Sequence, residues 1–147
     1  MNKSAFIAIV ATLFGLIGCA TTPVTTVKTT PIPAERTLGF QTNVKNGAMI
    51  VVNRDSEFLS GGGCLLSIVI DDKTAANIAA GESGRFFVEP GRHKVGIARD
   101  TSAASQCSEQ LNQPLKQSTT ELKSGQQQNF RISGGKNTVW DIRPTGL

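Results

Sequence analysis

The sequence predicts an all-β protein, a small antiparallel β sandwich, on the basis of three observations. Short stretches alternate apolar and polar residues, the pattern of strands that bury one face. Turn-forming residues separate these stretches, in a chain that contains 15 Gly and 6 Pro. No stretch of the predicted domain places apolar residues at helical spacing over an ordinary helix length.

The composition limits the size and the partners of this domain. A chain of 147 residues accommodates one domain and a targeting segment. Its net charge of +4 is spread along the chain, whereas nucleic-acid binding by charge needs Lys and Arg concentrated on one face. Aromatic residues make up 5% of the chain and Tyr is absent, which disfavours base stacking. We therefore expect no nucleic-acid partner and only weak attraction to anionic lipid or glycan surfaces.

The amino-terminal segment is typical of an exported protein. Lys3 precedes thirteen largely apolar residues, 5–17, a length that suits a signal peptide and is too short for a membrane span. The motif Leu16-Ile17-Gly18-Cys19 follows and closely resembles the bacterial lipobox. The resemblance implies a signal peptide over residues 1–18 and lipid attachment to the Cys19 sulfur, with a further acyl chain on its nitrogen.

Lipidation of Cys19 implies a location in the cell envelope. Each buried methylene contributes ~0.8 kcal/mol, so several acyl chains attach a protein to the membrane effectively permanently. Ala20 follows the cysteine instead of the Asp of an inner-membrane retention signal, which implies the outer membrane, facing the periplasm, if the organism has two membranes. The alternative is an ordinary secretory signal in which Cys19 is incidental, and the motif's position and polar tail favour the lipobox.

Residues 19–44 are predicted to form a linker, and residues 45–147 the β-sandwich domain. Residues 21–37 are rich in Thr and contain three prolines, a composition typical of a disordered, semi-rigid tether without a core. At ~3.1 Å per residue, such a linker reaches up to roughly 75 Å.

Alternation predicts the strands of the domain and one glycine-rich loop. The loop at residues 56–63 lacks the Gly-Lys-Ser/Thr of a phosphate loop and leads into a strand, so we interpret it as a surface loop. Both faces of residues 65–71 are partly apolar, which places this strand inside a sheet. Residues 100–120 are polar and predict a long excursion, and Pro144 is expected to end the last strand. The other predicted strands are 48–53, 74–78, 85–89, 93–98, 122–132 and 139–143.

Residues with catalytic or metal-binding potential have structural explanations in this pattern. Asp71 and Asp72 are adjacent and lack further oxygen ligands nearby, so turn formation is favoured over a cation site. His93 is the only histidine and alternates in phase with Val95 and Ile97, which favours a hydrogen-bonded structural role over a catalytic base or metal ligand. We therefore expect no enzyme activity, no metal and no cofactor.

The two remaining cysteines, Cys64 and Cys107, predict a disulfide in an exported protein. The bridge would close a 44-residue loop and contribute about 4 kcal/mol on the chain-entropy model. It would join the loop at 56–63 to the excursion at 100–120. We therefore expect a recognition surface formed by these two loops, with Arg54, Phe58 and Leu59 as candidate binding residues.

The run from Val51 to Ala98 resembles small bacterial lipoproteins of a domain-of-unknown-function family related to PEGA-like β sandwiches. The resemblance implies a compact PEGA-like or immunoglobulin-like sandwich in the envelope and brings no catalytic residues. Glu89-Pro90-Gly91-Arg92 stands where PEGA proper has Pro-Glu-Gly-Ala, and the segment around Cys107 also departs from the pattern. The matching segments are residues 50–55, 68–72, 81, 86–88, 90–93 and 122–125.

The sequence as a whole favours a lipid-anchored, non-catalytic binding or structural module of the envelope. Its partners are expected to be the membrane, through the lipid, and an envelope protein or glycan, through loops or a sheet edge. An inhibitor of lysozyme or protease is the alternative, because export, a disulfide and small size also suit that class. An envelope hydrolase that uses His93 is the least favoured hypothesis.

Overall fold

The computed structural model describes residues 28–56, 65–100, 116–135 and 138–146. These residues form strands, with one short 3₁₀ turn at Ala34–Arg36. The strands are β1 (Thr30–Pro31), β2 (Ala48–Arg54), β3 (Leu66–Ile70), β4 (Lys73–Ile78), β5 (Glu82–Val88), β6 (Gly91–Arg99), β7 (Lys116–Leu122), β8 (Gln127–Gly135) and β9 (Thr138–Thr145).

The strands form two sheets that pack as a small β sandwich, which confirms the predicted fold class. One sheet has the strand order β1-β5-β2-β8-β9 and the other the order β4-β3-β6-β7. Pairing is antiparallel except between β1 and β5 and between β2 and β8. The core lies between the sheets; its largest fully buried side chains include Phe86, Phe130, Ile50, Leu66, Ile68 and Ile70.

Strand β3 shows why alternation identified the centre of this fold. Leu66, Ile68 and Ile70 are fully buried, and β3 lies between β4 and β6 in its sheet. Trp140 and Ile142 of β9 also point inward and are buried, as their phase predicts. The apolar side chains at every second position therefore build one face of the core.

The carboxy-terminal strands differ from the sequence expectation in three places. The predicted polar excursion ends early, because Lys116–Leu122 is strand β7, paired with β6. The predicted strand 122–132 is interrupted by a turn at Gly125, where φ is +73°. Pro144 lies within β9, opposite Phe130, instead of ending it; β9 is an edge strand, where a missing N–H breaks no ladder.

The chain pairs with the sandwich from Thr30 onward, within the segment predicted as linker. We call residues 30–41 the strap. Thr30 and Pro31 pair with Glu82 and Ser83 as strand β1, and Phe40 packs against the core. Part of the segment predicted as linker, residues 19–44, thus contacts the sandwich; prolines and threonines disfavour a helix but leave backbone groups free to add to a sheet edge. Residues 19–27 lie outside the described part of the chain.

Candidate functional site

The strap first follows the free edge of β5. The backbone N–H of Thr30 donates to the Gly81 carbonyl at 2.9 Å, and that of Ile32 donates to the Ser83 carbonyl at 2.9 Å. The chain then leaves β5 through the 3₁₀ turn at Ala34–Arg36. Ile32 remains packed against the core, so the first part of the strap is held by both hydrogen bonds and apolar contact.

The strap then crosses to the edge of the other sheet and returns. The N–H groups of Leu38 and Gly39 donate to the Ala75 carbonyl of β4, at 2.8 and 3.0 Å. The N–H of Phe87 in β5 donates to the Phe40 carbonyl at 2.8 Å. One continuous segment thus covers edge groups of β5 and β4, which are otherwise open to pairing with another chain.

An ion pair between Arg36 and Glu82 holds the middle of the strap. The guanidinium bonds both carboxylate oxygens, with Nη1 2.8 Å from Oε2, and Nη1 also donates to the Asn77 carbonyl at 3.1 Å. The Glu82 carboxylate additionally accepts the N–H of Ala79 at 2.8 Å. The hydrogen bond to Glu82 raises the pKa of the Arg36 guanidinium above its ordinary value. Bidentate pairing of this kind fixes orientation as well as charge.

A cavity of about 440 Å³ opens between the strap and β5. It lies where the strap leaves the edge of β5 after Ile32 and before Phe40. Its volume falls within the range of small-molecule sites, ~300–1,000 Å³. The residues that line it are both polar and apolar. They include Pro31, Ile32, Gln41, Ser83 and Arg85.

Gly84 permits the close packing at the floor of this cavity. A Cβ atom at position 84 would lie 2.7 Å from the Phe86 ring and 2.8 Å from the Ile32 side chain. Such distances are far inside van der Waals contact. The absence of a side chain at Gly84 therefore allows the strap to seat against β5.

Of the three predicted binding residues, the structure describes Arg54 and places it in the sandwich instead of a loop. Arg54 ends strand β2 and is 4% exposed. Its Nη1 donates to the Ile78 carbonyl at 2.8 Å, and its guanidinium lies 4.7 Å from the centre of the Trp140 ring. Arg54 thus acts in packing at the end of the core. Phe58 and Leu59 lie outside the described residues.

The two loops predicted to form a recognition surface leave the sandwich from the same end. Leu66 at the start of β3 pairs with Arg99 at the end of β6, so the adjoining described residues, Leu65 and Asp100, lie at the same end of the sheet. Asp100, 5% exposed, accepts a hydrogen bond from Asn77 at 3.4 Å there. Cys64 and Cys107 lie outside the described residues, and their disulfide stays a prediction.

His93 and the two aspartates form a hydrogen-bonded turn. The His93 Nδ1 lies 2.6 Å from Asp71 Oδ2, and Nε2 lies 2.7 Å from the Glu89 carbonyl, to which it donates. Asp71 Oδ1 also accepts the Lys94 N–H at 2.9 Å. Asp71 and Asp72 both adopt positive φ, +48° and +64°, a conformation that Asp tolerates well. The predicted structural role of His93 agrees with this geometry.

No cluster of three or more metal-binding side chains occurs in the described part of the chain. Within the same residues, no helix is long and apolar enough to cross a membrane.

Sequence reasoning missed the residues that build the cavity. Arg36 and Glu82 stand 46 positions apart, and no local pattern marks them as a pair. Apolar Ile32 and Phe40, one at each side of the 3₁₀ turn, were the available signal that this segment packs on a core. No family model matches the chain, and no curated protein matches it significantly.

Proposed function

We propose that this chain is a lipid-anchored, non-catalytic domain of the cell envelope that binds a ligand in the cavity beneath its strap. The observation that carries the proposal is the cavity itself, about 440 Å³ in volume and lined by both polar and apolar groups. Concave sites of this size with a few convergent polar groups are the usual form of small-ligand sites.

The support around the cavity favours binding. Strap and β5 are joined on one side of it by Ile32 and Ser83, and on the other by Phe40 and Phe87. The Arg36–Glu82 pair fixes the intervening turn. Because these contacts join the strap to the sandwich, little ordering of the cavity walls is needed on binding, which favours affinity.

The lipobox-like motif at Cys19 supports anchoring, and the strap limits the reach of the tether. Residues 20–29 separate Cys19 from the first strand, and at ~3.5 Å per residue they span at most about 35 Å. The proposed anchor therefore keeps the cavity, which Thr29 and Pro31 help to line, close to the membrane surface. The location proposed is the periplasmic face of the outer membrane in an organism with two membranes.

Site-specific crosslinking in intact cells tests this function. A photo-crosslinking residue is placed at position 29, on the cavity wall, or at position 119, in the exposed part of β7. We expect a discrete adduct from position 29 and none from position 119. In the same cells, Cys19→Ser should abolish metabolic labelling with a fatty acid and release the protein from the membrane fraction.

Two results would contradict the proposal. An adduct of equal yield from positions 29 and 119 would show that contact is not confined to the cavity. Membrane retention and fatty-acid labelling that survive Cys19→Ser would remove the anchor.

A further inference from the structure

We infer that the cavity beneath the strap recognises the terminal carboxylate of a short peptide that ends in an apolar residue. This inference rests on the proposed binding function and names the ligand of the same site. Its evidence is the set of hydrogen-bond donors that the edge of β5 presents to the cavity, together with the charge and the apolar surface around them.

The first donor is the backbone N–H of Arg85. Alternate residues of a strand direct their backbone groups to the same side, and the Ser83 carbonyl and the Phe87 N–H both bond to the strap. Arg85 lies between them in the same phase, so its backbone groups also face the strap. Its carbonyl accepts the Gln41 side-chain N–H at 3.0 Å. Among the described residues, none accepts a hydrogen bond from the Arg85 N–H.

The second donor is the Arg85 guanidinium. Arg85 is exposed and is one of the residues that line the cavity. No carboxylate of the described residues lies within ion-pair distance of it, in contrast to Arg36, Arg131 and Arg143. A guanidinium fork matches the two oxygens of a carboxylate. The backbone N–H and the guanidinium of this one residue are thus both available as donors to an anion.

The charge of the lining favours an anion over a neutral group. Arg85 is the one charged residue among the described residues that line the cavity. The nearby Glu82 carboxylate is occupied by Arg36 and the Ala79 N–H. A carboxylate in the cavity therefore meets a positive group without a competing acid among the described lining residues.

The apolar part of the lining favours a peptide over a sugar. Pro31 and Ile32 contribute aliphatic surface beside the donors, which suits the side chain of a small apolar residue. The aromatic ring at the floor, Phe86, is fully buried and offers no exposed face on which a sugar could stack. Capture of a terminal carboxylate by backbone N–H groups is a known mode of peptide recognition.

Calorimetric titration of the purified full chain in detergent tests the inference with two probes. One is acetyl-Ala-Ala-Val with a free carboxylate, and the other is the same peptide as its carboxy-terminal amide. We expect the acid to bind at least tenfold more tightly than the amide. Arg85→Gln should weaken the acid at least tenfold and leave the amide unchanged, and Arg92→Gln, on the exposed part of β6, should change neither.

The other outcomes overturn the inference in distinguishable ways. Equal affinity for acid and amide would mean that the cavity binds peptides without reading the carboxylate. Binding of glucuronic acid with no binding of the peptide acid at 10 mM would assign the site to an acidic sugar. Failure of both probes would exclude this ligand class. A position-29 adduct in cells would still support the broader binding function in each case, and its absence would remove both.

Discussion

Arg36 of the strap bonds both carboxylate oxygens of Glu82 at the start of β5. The exposed fractions of the two side chains are 22% and 12%, so water screens the pair less than it screens surface ions. The same guanidinium reaches the Asn77 carbonyl of β4, which links the strap to both sheets. Together with the backbone hydrogen bonds to β5 and β4, this pair holds the proline-rich segment against the sandwich.

Replacing Arg36 by Ala should destabilise the domain by about 1–3 kcal/mol, because the largely buried Glu82 carboxylate loses its charged partner. Arg143→Ala is the matched control, since its pair with Asp141 has an arginine side chain that is 80% exposed, and such pairs contribute ~0–1 kcal/mol. Urea unfolding of both variants measures the difference. Equal losses of stability in the two variants would show that the Arg36–Glu82 pair stabilises the domain no more than an exposed surface pair does.

Gly84→Ala should loosen the strap without unfolding the sandwich. The added Cβ would lie 2.8 Å from the Ile32 side chain, which can move away with the strap, and 2.7 Å from the Phe86 ring, which must also shift. We expect faster hydrogen exchange at the N–H groups of Ile32 and Leu38, which now bond to β5 and β4.

Gly39→Ala is the control for this substitution, because its Cβ would make an ordinary contact of 3.6 Å with the Thr74 carbonyl. Exchange at Ile32 and Leu38 should stay as in the native chain. Unchanged exchange in Gly84→Ala as well would mean that the strap does not depend on close packing at the cavity floor.

Asp71→Asn should cost about 1–3 kcal/mol of stability, the usual loss when a buried polar group loses its charged partner. Its carboxylate bonds the 8%-exposed His93 and the Lys94 N–H. Asp72→Asn is the paired control. Asp72 also has a positive φ, which Asn tolerates, and its ion pair with Lys94 is exposed to solvent. Thermal unfolding should separate the two variants, and identical midpoints would refute a structural role for the His93 network.

Ile68→Ala should destabilise the domain by ~2–5 kcal/mol, the range for truncation of a buried aliphatic side chain. Ile68 is fully buried at the centre of β3. Val69→Ala, on the half-buried outer face of the same strand, should cost about 1 kcal/mol. A larger loss at Val69 than at Ile68 would reverse the assignment of inner and outer faces.

Alternation predicted the strands that bury an apolar face, and it failed for strands held by backbone pairing alone. Leu66, Ile68 and Ile70 repeat every second residue and are fully buried. In β7, Leu122 is the one buried residue, so the strand exists through its pairing with β6 and its sequence resembles a polar loop. Hydrogen bonds along an edge leave no apolar period in the sequence.

The cavity was also not predictable from the sequence, because the contacts that form it are not local. Its walls depend on an ion pair across 46 positions and on backbone bonds between the strap and two sheet edges. Neither leaves a local motif, and threonine and proline in the strap indicate an extended chain without showing what it contacts. The turn at Asp71 and the role of His93 were predictable, because turn chemistry and the phase of a strand are local properties.

The most direct test combines disruption of the Arg36–Glu82 pair with the crosslink at position 29. The photo-crosslinking residue at position 29 is placed in chains that also carry Arg36→Ala or Arg143→Ala, and adduct yield is compared in intact cells at equal protein level. We expect an adduct yield at least fivefold lower with Arg36→Ala and an unchanged adduct yield with Arg143→Ala. Equal yields from the two chains would contradict the claim that the strap, held by Glu82, forms the binding site.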